Sequence, residues 1–367
     1  MKTYIWLFTL IILLLGGCSK ESTNPIVNDD GTLNSNIQTI DNVNAANGDV
    51  STAIDGNNKL HVAYFSFNLG LKYATNKTGS WVSTMIHPED TSTTMSVYND
   101  IAVDSSGFAH IVYTISGLRV TDESAVYYAT NKTGIWVKTK IAFATGSDFS
   151  GAGLAVTSTG NVHIVYGDHT MSLMYKHNLS GSWTSAGNLG SYWTSVRPRL
   201  ALDASNNVYV AYEHGGEGTL HLQVINSAGS LVSNSILDGV SGSGVSVGWS
   251  PDIAINKTNG FVLTPYWNYD SKLLKIYNGG TITTLDTLNN WTDPAIVTDI
   301  SGKAHICYTD LTTYELYYVS NKTGPWVKEI ITASVTARGS ALVVEPTGKL
   351  HFIYCVKGVN SLRVITK

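Results

Sequence analysis

One repeated segment governs the interpretation of the whole chain: Asp104-Ser-Ser-Gly107-Phe-Ala-His110-Ile-Val-Tyr113, an acidic turn with a glycine followed by an alternating apolar strand. The pattern returns seven times, and each copy ends in a tyrosine: Tyr64, Tyr113, Tyr166, Tyr212, Tyr266, Tyr308 and Tyr354. Five of the seven copies also carry the histidine. Short strands repeated every 42 to 54 residues are typical of the four-stranded blades of a β-propeller.

A second motif follows at a regular offset within the repeats. It reads Asn76-Lys-Thr-Gly79-Ser-Trp81, and it returns as Asn131-Lys-Thr-Gly134-Ile-Trp136 and Asn321-Lys-Thr-Gly324-Pro-Trp326, with a looser copy that ends at Trp183. Asn and Gly between two alternating runs indicate a tight hairpin, because glycine accepts a positive φ and asparagine favours the turn. Each repeat therefore has four strands: A before the acidic turn, B with His-x-x-Tyr, C before the hairpin and D from the tryptophan.

The two ends of the repeat array complement each other. The last repeat stops at a C strand, residues 362–367, and the segment Asn36-Ile-Gln-Thr-Ile40 is similar to the D strands of the first repeats. Such a closure removes the exposed edges of the first and last blades. We therefore predict an all-β fold over residues 36–367: a seven-bladed β-propeller of four-stranded blades, closed by an N-terminal strand that completes the last blade.

The first 35 residues have a different character. Lys2 precedes an apolar run that is too short to span a bilayer comfortably, and Leu15-Gly-Gly-Cys18 follows it. This string resembles the bacterial lipobox. The resemblance implies that residues 1–17 are a signal peptide, that Cys18 is lipidated, and that the protein is held at the outer membrane or cell surface by acyl chains alone. Polar residues up to position 35 are typical of a flexible tether. An ordinary signal peptide or a short membrane helix are the alternatives.

Composition excludes some partners and leaves others open. The formal net charge is −4 and no basic run occurs, which gives no support for nucleic-acid binding. Cys307 and Cys355 remain in the body of the chain, and the sequence does not fix their state. We expect a monomer without a cofactor, and Ca²⁺ is the one metal that the acidic positions described below suggest.

The blade pattern resembles the superfamily of sialidase-like and bacterial-neuraminidase-repeat propellers. The family places its Asp box, Ser-x-Asp-x-Gly-x-x-Trp, at the turn between strands C and D. Here Thr75-Asn-Lys-Thr-Gly79-Ser-Trp81 occupies that turn without the aspartate and with one residue fewer, so the box is degenerate. The resemblance implies the fold neighbourhood, and the degenerate box warns against carrying over an activity.

The turns and loops divide into two faces. The A–B and C–D turns are short and repeated, and we call their side of the ring the regular face. The D–A and B–C loops are long and dissimilar, and we call their side the irregular face; they cover residues 87–97, 115–123, 143–151, 186–196, 238–249 and 267–271. Because function tends to lie on loops that a rigid scaffold holds, we expect a ligand site on the irregular face.

Two groups of residues on these loops break the repeat pattern. The first group is aromatic and suits stacking on sugar faces, although it could also merely cap the ring: Tyr192, Trp193, Trp249, Trp267, Tyr269 and Trp291. The second group is charged and lies at the starts of the A strands: Asp100, Arg197, Arg199, Asp252, Asp293 and Arg338. These charges either bind a polar ligand or Ca²⁺, or pair with one another.

An enzymatic role is harder to support. Sialidase-like sites use three arginines, and the family's Phe/Tyr-Arg-Ile-Pro motif is missing; Val196-Arg-Pro-Arg199 is the nearest string. The weak catalytic candidates are His169, Glu213 and His214, whereas the repeated histidines are distributed around the ring and fit structural hydrogen bonds. We therefore favour non-catalytic binding of carbohydrate or a similar polar ligand. The alternatives are a carbohydrate-active enzyme, either a glycoside hydrolase or a polysaccharide lyase, and a protein-interaction scaffold.

Overall fold

The computed structural model describes residues 36–42, 49–66, 69–89, 93–119, 121–184, 187–191, 197–333, 335–356 and 361–367, with the side chains of 93–97 and 336–339 excepted. Within these ranges the secondary structure consists of strands, arranged as seven separate four-stranded antiparallel sheets. None of the described residues belongs to a helix with the length and apolar character needed to cross a membrane. Residues 36–367 form one compact unit.

The strands follow the chain blade by blade, after an initial strand β1 (Ile37–Asp41). Blade 1 contains β2 (Val50–Ile54), β3 (Leu60–Ser66), β4 (Gly70–Thr75) and β5 (Val82–Pro88). Blade 2 contains β6 (Thr93–Val103), β7 (Ala109–Gly117), β8 (Glu123–Thr130) and β9 (Val137–Thr145). Blade 3 contains β10 (Ala152–Val156), β11 (Val162–Gly167), β12 (Ser172–His177) and β13 (Gly187–Ser191).

The second half of the ring continues in the same way. Blade 4 contains β14 (Arg199–Leu202), β15 (Val208–His214), β16 (Thr219–Ile225) and β17 (Leu231–Asp238). Blade 5 contains β18 (Ala254–Ile255), β19 (Val262–Asn268), β20 (Leu273–Asn278) and β21 (Thr281–Thr287). Blade 6 contains β22 (Ala295–Thr298), β23 (Ala304–Asp310), β24 (Glu315–Ser320) and β25 (Val327–Thr332). Blade 7 contains β26 (Val335–Val344), β27 (Leu350–Val356) and β28 (Leu362–Thr366).

Ring closure occurs in blade 7, whose strand order is β1-β28-β27-β26. β1 pairs antiparallel with β28, with Ile37 opposite Ile365. Ile40 is buried in a cluster that joins blades 7 and 1. The predicted seven-bladed propeller, with an N-terminal strand as the outer strand of its last blade, is therefore confirmed.

The repeated histidines are buried inside the blades, where they form hydrogen bonds. His110 Nδ1 lies 2.6 Å from the Tyr128 hydroxyl on strand C, and its Nε2 lies 3.3 Å from Asp104 Oδ2 in the A–B turn. His305 repeats this arrangement with Tyr318 and Asp299. Because desolvation outweighs the nearby carboxylate, the pKa of His110 is lowered. These contacts agree with the structural role expected for the motif.

The repeated tyrosines of strand B connect neighbouring blades. Tyr266 of blade 5 donates its hydroxyl to Asp238, the last residue of the outer strand of blade 4. Tyr308 of blade 6 makes the same contact with Asp286 of blade 5. Their rings are buried between the blades. In these copies the tyrosine thus serves both the blade that carries it and the blade before it, whereas the Tyr212 hydroxyl accepts a hydrogen bond from Gln223 of its own blade.

The cysteines of the body do not pair with each other. Cys307 on β23 and Cys355 on β27 are both buried. Cys307 packs in the cluster between blades 6 and 7, while Cys355 packs in the cluster between blades 7 and 1. Burial raises the pKa of the Cys307 thiol to about 12, so this sulfur is an inert core group.

Candidate functional site

The A strands line a central channel, and their first residues surround its mouth on the irregular face. A cavity of about 350 Å³ lies at this mouth. The charged residues in its lining come from five blades: Asp49, Asp100, Arg199, Asp252 and Asp293. The rest of its wall is mostly apolar and includes Leu154, Leu200 and Ile296. Polar groups are therefore concentrated at one end of the channel.

Arg199 holds the carboxylates of two other blades. Its guanidinium lies 3.7 Å from Asp100 Oδ1 and 4.0 Å from Asp49 Oδ2. The second oxygen of Asp100 accepts the backbone N–H of Leu154 at 3.0 Å, which ties blade 2 to blade 3. Burial raises the pKa of Asp100, and Arg199 opposes that shift. The charges at this level are largely satisfied by protein groups.

Asp252 has an equivalent position in blade 5. Its Oδ2 accepts the backbone N–H of Ile296 in blade 6 at 2.8 Å. Burial raises its pKa to about 6, although Arg199 and the backbone donors favour the charged form. Asp100 and Asp252 therefore perform the same task at two places on the ring: each joins its own A strand to that of the next blade.

Arg197 reaches across the channel mouth from blade 4. Its guanidinium donates to Asp293 Oδ1 of blade 6 at 2.7 Å and lies 4.2 Å from the ring centre of Tyr98 in blade 2. The close approach of its segment to blade 3 depends on Gly153, because a Cβ there would lie 2.4 Å from the Pro198 carbonyl oxygen. The arginine thus bridges three blades over the channel.

Glu213 is the penultimate residue of strand β15, whose end lies on the same face. Arg199 pairs with Ala211, so the antiparallel register places Glu213 opposite Arg197. The side chain is buried, and among the described residues it forms no hydrogen bond. Burial raises its pKa to about 8, while Arg197 acts in the opposite direction. Glu213 is therefore a carboxylic acid that keeps its proton at neutral pH.

Replacing Glu213 with glutamine, an uncharged isostere, tests whether its carboxyl group is protonated. Between about pH 4.3 and pH 8 native Glu213 holds a proton that the unfolded chain releases, so wild-type stability falls as pH rises. The variant Glu213→Gln has no such group and is expected to be more stable by roughly 2–4 kcal/mol at pH 8. Urea unfolding at several pH values measures the difference, which should vanish near pH 4. An equal difference at both pH values would contradict the assignment.

Trp249, three residues before Asp252, belongs to an aromatic cluster with Trp267 and Tyr269. Trp249 and Trp267 form an isolated β-bridge, and their ring centres are 6.3 Å apart. Tyr269 stacks on Trp249 at 5.1 Å, and Lys272 Nζ lies 4.2 Å from the Tyr269 ring centre. Trp267 is only 1% exposed, whereas Tyr269 is 44% exposed. The accessible part of this cluster is therefore Tyr269, backed by Trp249.

The structure brings together some of the sequence-predicted residues and separates others. The channel mouth unites Asp100, Arg197, Arg199, Asp252 and Asp293, and the aromatic cluster unites Trp249, Trp267 and Tyr269. Trp291 is half-buried against the core cluster of blades 5 and 6. Cys18, Tyr192 and Trp193 lie outside the described residues, and only the backbone of Arg338, within β26, is described.

The weak catalytic candidates do not form one group. His169 is exposed in its B–C loop and makes an edge contact with Phe149, with ring centres 6.1 Å apart. His214 packs against His221 and lies 3.9 Å from Glu217. Of the three candidates, the register places only Glu213 beside the channel mouth.

Three residues of the site were missed by sequence reasoning. Asp49 could have been found by alignment, because it precedes the A strand of blade 1 as Asp252 precedes that of blade 5. Tyr98 and Lys272 carry no comparable signal, since neither belongs to the repeat. Among the described residues there is no group of three or more His, Cys, Asp or Glu side chains arranged to hold a metal ion.

Comparison with known proteins supports the fold. Neither a protein-family model nor a curated protein sequence matches the chain. A polysaccharide lyase of family 25, an ulvan lyase, superposes with a TM-score of 0.60 at 10% identity, covering 90% of this chain and 96% of the lyase. The SapL1 lectin, solved with α-methyl fucoside, gives 0.53 at 13% identity, with 81% of this chain and 99% of the lectin covered.

A sialidase is also among the structural neighbours. The NanB sialidase of Streptococcus pneumoniae superposes with a TM-score of 0.51 at 11% identity, covering 93% of this chain and 72% of the sialidase. The chain is therefore a seven-bladed β-propeller whose structural neighbours include a lyase, a lectin and a sialidase. At such low identities the likeness concerns the fold, since one fold serves many functions.

Proposed function

We propose that this protein binds carbohydrate without cleaving it, through the irregular face of its propeller. The observation that carries the proposal is the exposed Tyr269 ring, stacked on Trp249 and flanked by Lys272. A sugar would stack on the side of the Tyr269 ring over which the flexible Lys272 side chain lies, and the displaced ammonium would pair with an acidic or hydroxyl substituent. The lectin, lyase and sialidase among the structural neighbours make a glycan ligand plausible.

The cluster is held in place by polar contacts. The Trp249 indole N–H donates to Ser246 Oγ at 2.6 Å, and the backbone N–H of Ser246 donates to the Asp270 carboxylate. The backbones of Trp249 and Trp267 exchange two hydrogen bonds, at 3.0 and 2.9 Å. These contacts fix the two loops against each other, so little entropy is lost when a ligand stacks.

Binding is favoured over catalysis because the charges at the channel mouth are already engaged. Arg197 and Arg199 each lie beside carboxylates, so neither is available to grip an anionic substrate in this structure. The alternative, a carbohydrate-active enzyme, draws support from Glu213, a buried protonated carboxyl that is suited to donate a proton. Kinship with sialidase-like enzymes through degenerate Asp boxes is part of that alternative, while a protein-interaction scaffold has no specific contact in its favour.

The setting that we propose is the bacterial outer membrane or cell surface. Cys18 carries the acyl chains, and residues 18–35 are the tether to the ring. The lipobox-like string supports an attachment to the membrane through lipid. The closed ring of blades supports a monomeric state.

A glycan array probed with the fragment 36–367 tests the binding site. This fragment contains β1 and hence the whole closed ring. Tyr269→Ala is expected to weaken binding to the best glycan about tenfold, the scale of one lost aromatic stack, whereas Tyr269→Trp should retain it. Phe261→Ala is the matched control, because Phe261 is an exposed aromatic residue beside the A–B turn of the same blade.

The binding hypothesis and the enzyme hypothesis predict different results in this assay. Binding that survives Tyr269→Ala unchanged would show that the aromatic cluster is not the ligand site. Release of reducing sugar or of an unsaturated product from the bound glycan would establish the enzyme instead. In that case Glu213→Gln should abolish turnover but leave binding in place.

A further inference from the structure

The regular face carries an arc of lysines. They lie in or beside the A–B and C–D turns of five blades, namely blades 1, 2, 5, 6 and 7: Lys59, Lys77, Lys132, Lys257, Lys303, Lys322 and Lys349. That these turns share one face follows from contacts between blades, such as Lys77 Nζ to the Gly107 carbonyl at 3.2 Å. Five of the seven side chains are exposed, and none forms an ion pair with a described residue.

The carboxylates of the same turns are recessed and engaged. Asp55 Oδ1 accepts the backbone N–H groups of Asn57 and Lys59, both at 2.8 Å. Asp299 does the same with Ser301 and Lys303, and its second oxygen approaches His305. Because these negative charges point inward to backbone donors, the outermost charges on the regular face are positive.

The irregular face has the opposite charge. Outside the channel mouth, its described carboxylates are at least partly exposed and outnumber the basic side chains: Glu89, Asp122, Glu123, Asp148, Asp168, Glu217, Asp270, Asp310 and Glu315. A small net charge for the whole chain thus conceals a strong separation between two faces. An anionic surface would attract one face and repel the other.

Both ends of the ring emerge on the regular face. The backbone N–H of Thr366 donates to the Asn36 carbonyl at 3.0 Å, and the Lys367 carbonyl accepts from Leu350, the first residue of β27 after the A–B turn. Residue 36 is therefore at this face.

We propose that the regular face docks on an anionic phospholipid bilayer through these lysines. Phosphate headgroups would contact an arc of exposed ammonium groups, and the acidic irregular face would then point away from the membrane, open to its ligand. Long lysine side chains suit such diffuse contacts, because each acts as a point charge that needs no fixed geometry. The docking does not require the acyl chains, so it is independent of the fate of Cys18 and of the proposed sugar site.

Cosedimentation of the fragment 36–367 with phosphatidylglycerol-containing and pure phosphatidylcholine vesicles tests the proposal. Binding is expected for the anionic vesicles alone, and it should be lost at about 0.5 M NaCl because salt screens exposed charges. The double variant with Lys322→Gln and Lys349→Gln should bind at least tenfold more weakly, at roughly fivefold per lysine. The matched control with Arg119→Gln and Lys140→Gln removes two charges from the other side and should bind as the wild type does.

Chemical acetylation of lysines in the presence of vesicles gives a second readout of orientation. Lys257, Lys322 and Lys349 should be protected by anionic vesicles, whereas Lys140 and Lys272 should stay reactive. Failure of the fragment to bind anionic vesicles, or equal loss of binding in both double variants, would overturn the proposal. Tighter binding to soluble dextran sulfate than to vesicles would also overturn it, because the face would then be a site for free polyanions.

Discussion

A chain that begins at residue 43, and therefore lacks β1, is expected not to reach a cooperatively folded state. β1 supplies the outer strand of blade 7, and without it β28 becomes an open edge. The buried side chain of Ile40 is lost as well, together with the Asp41 carboxylate that accepts hydrogen bonds from Tyr64 and Lys72 of blade 1. Removing one partner of a buried ion pair alone costs about 3–5 kcal/mol, which approaches the whole stability of many domains.

Near-UV circular dichroism and urea unfolding measure this effect. The fragment 36–367 is the direct control, since it differs by seven residues and retains β1. A synthetic peptide of residues 36–42 added to the shorter chain should restore part of the near-UV signal, because the missing strand pairs with β28 through a defined register. Equal unfolding midpoints for the two fragments would show that the ring does not depend on closure by β1.

The extent to which the sequence anticipated the structure follows from repetition. The tyrosine of each B strand and the Asn-Lys-Thr-Gly turns recur because every blade must solve the same packing problem, so blade number, strand order and ring closure were all predictable. Asn131 shows why: its side-chain oxygen accepts the backbone N–H of Ala109 at 2.8 Å and so joins the C–D turn to the start of strand B. A residue with such a structural role recurs in the sequence at the spacing of the blades.

The irregular face was only partly predictable, because each contact there occurs in one place and is not repeated from blade to blade. Arg197 pairs with Asp293, 96 residues later in the chain, and no period relates the two. Trp267 was grouped with the aromatic residues of the loops, yet it belongs to β19 and is buried next to Tyr266. Both faces of a blade are covered by neighbours, so strand alternation does not identify which ring reaches solvent.

Replacing Arg199 with methionine is expected to destabilise the propeller by about 3 kcal/mol at neutral pH. Asp49, Asp100 and Asp252 surround the guanidinium at the channel mouth, and its loss leaves buried carboxylates without their counter-charge. Methionine keeps much of the side-chain volume, so the effect is electrostatic. Urea unfolding at neutral pH, with exposed Arg119→Met as the control that removes the same charge, measures it.

The pH dependence of this loss separates electrostatics from packing. Without Arg199 the folded-state pKa values of Asp100 and Asp252 rise further, because the arginine lowers them more than the backbone hydrogen bonds do. The native variant then retains protons that the unfolded chain releases above about pH 4, so its deficit grows as pH rises and nearly disappears in acid. Adding Asp252→Asn should recover part of the stability at neutral pH. A deficit that stays constant from acid to neutral pH would mean that Arg199 acts through packing alone and not as the counter-charge of the carboxylates around it.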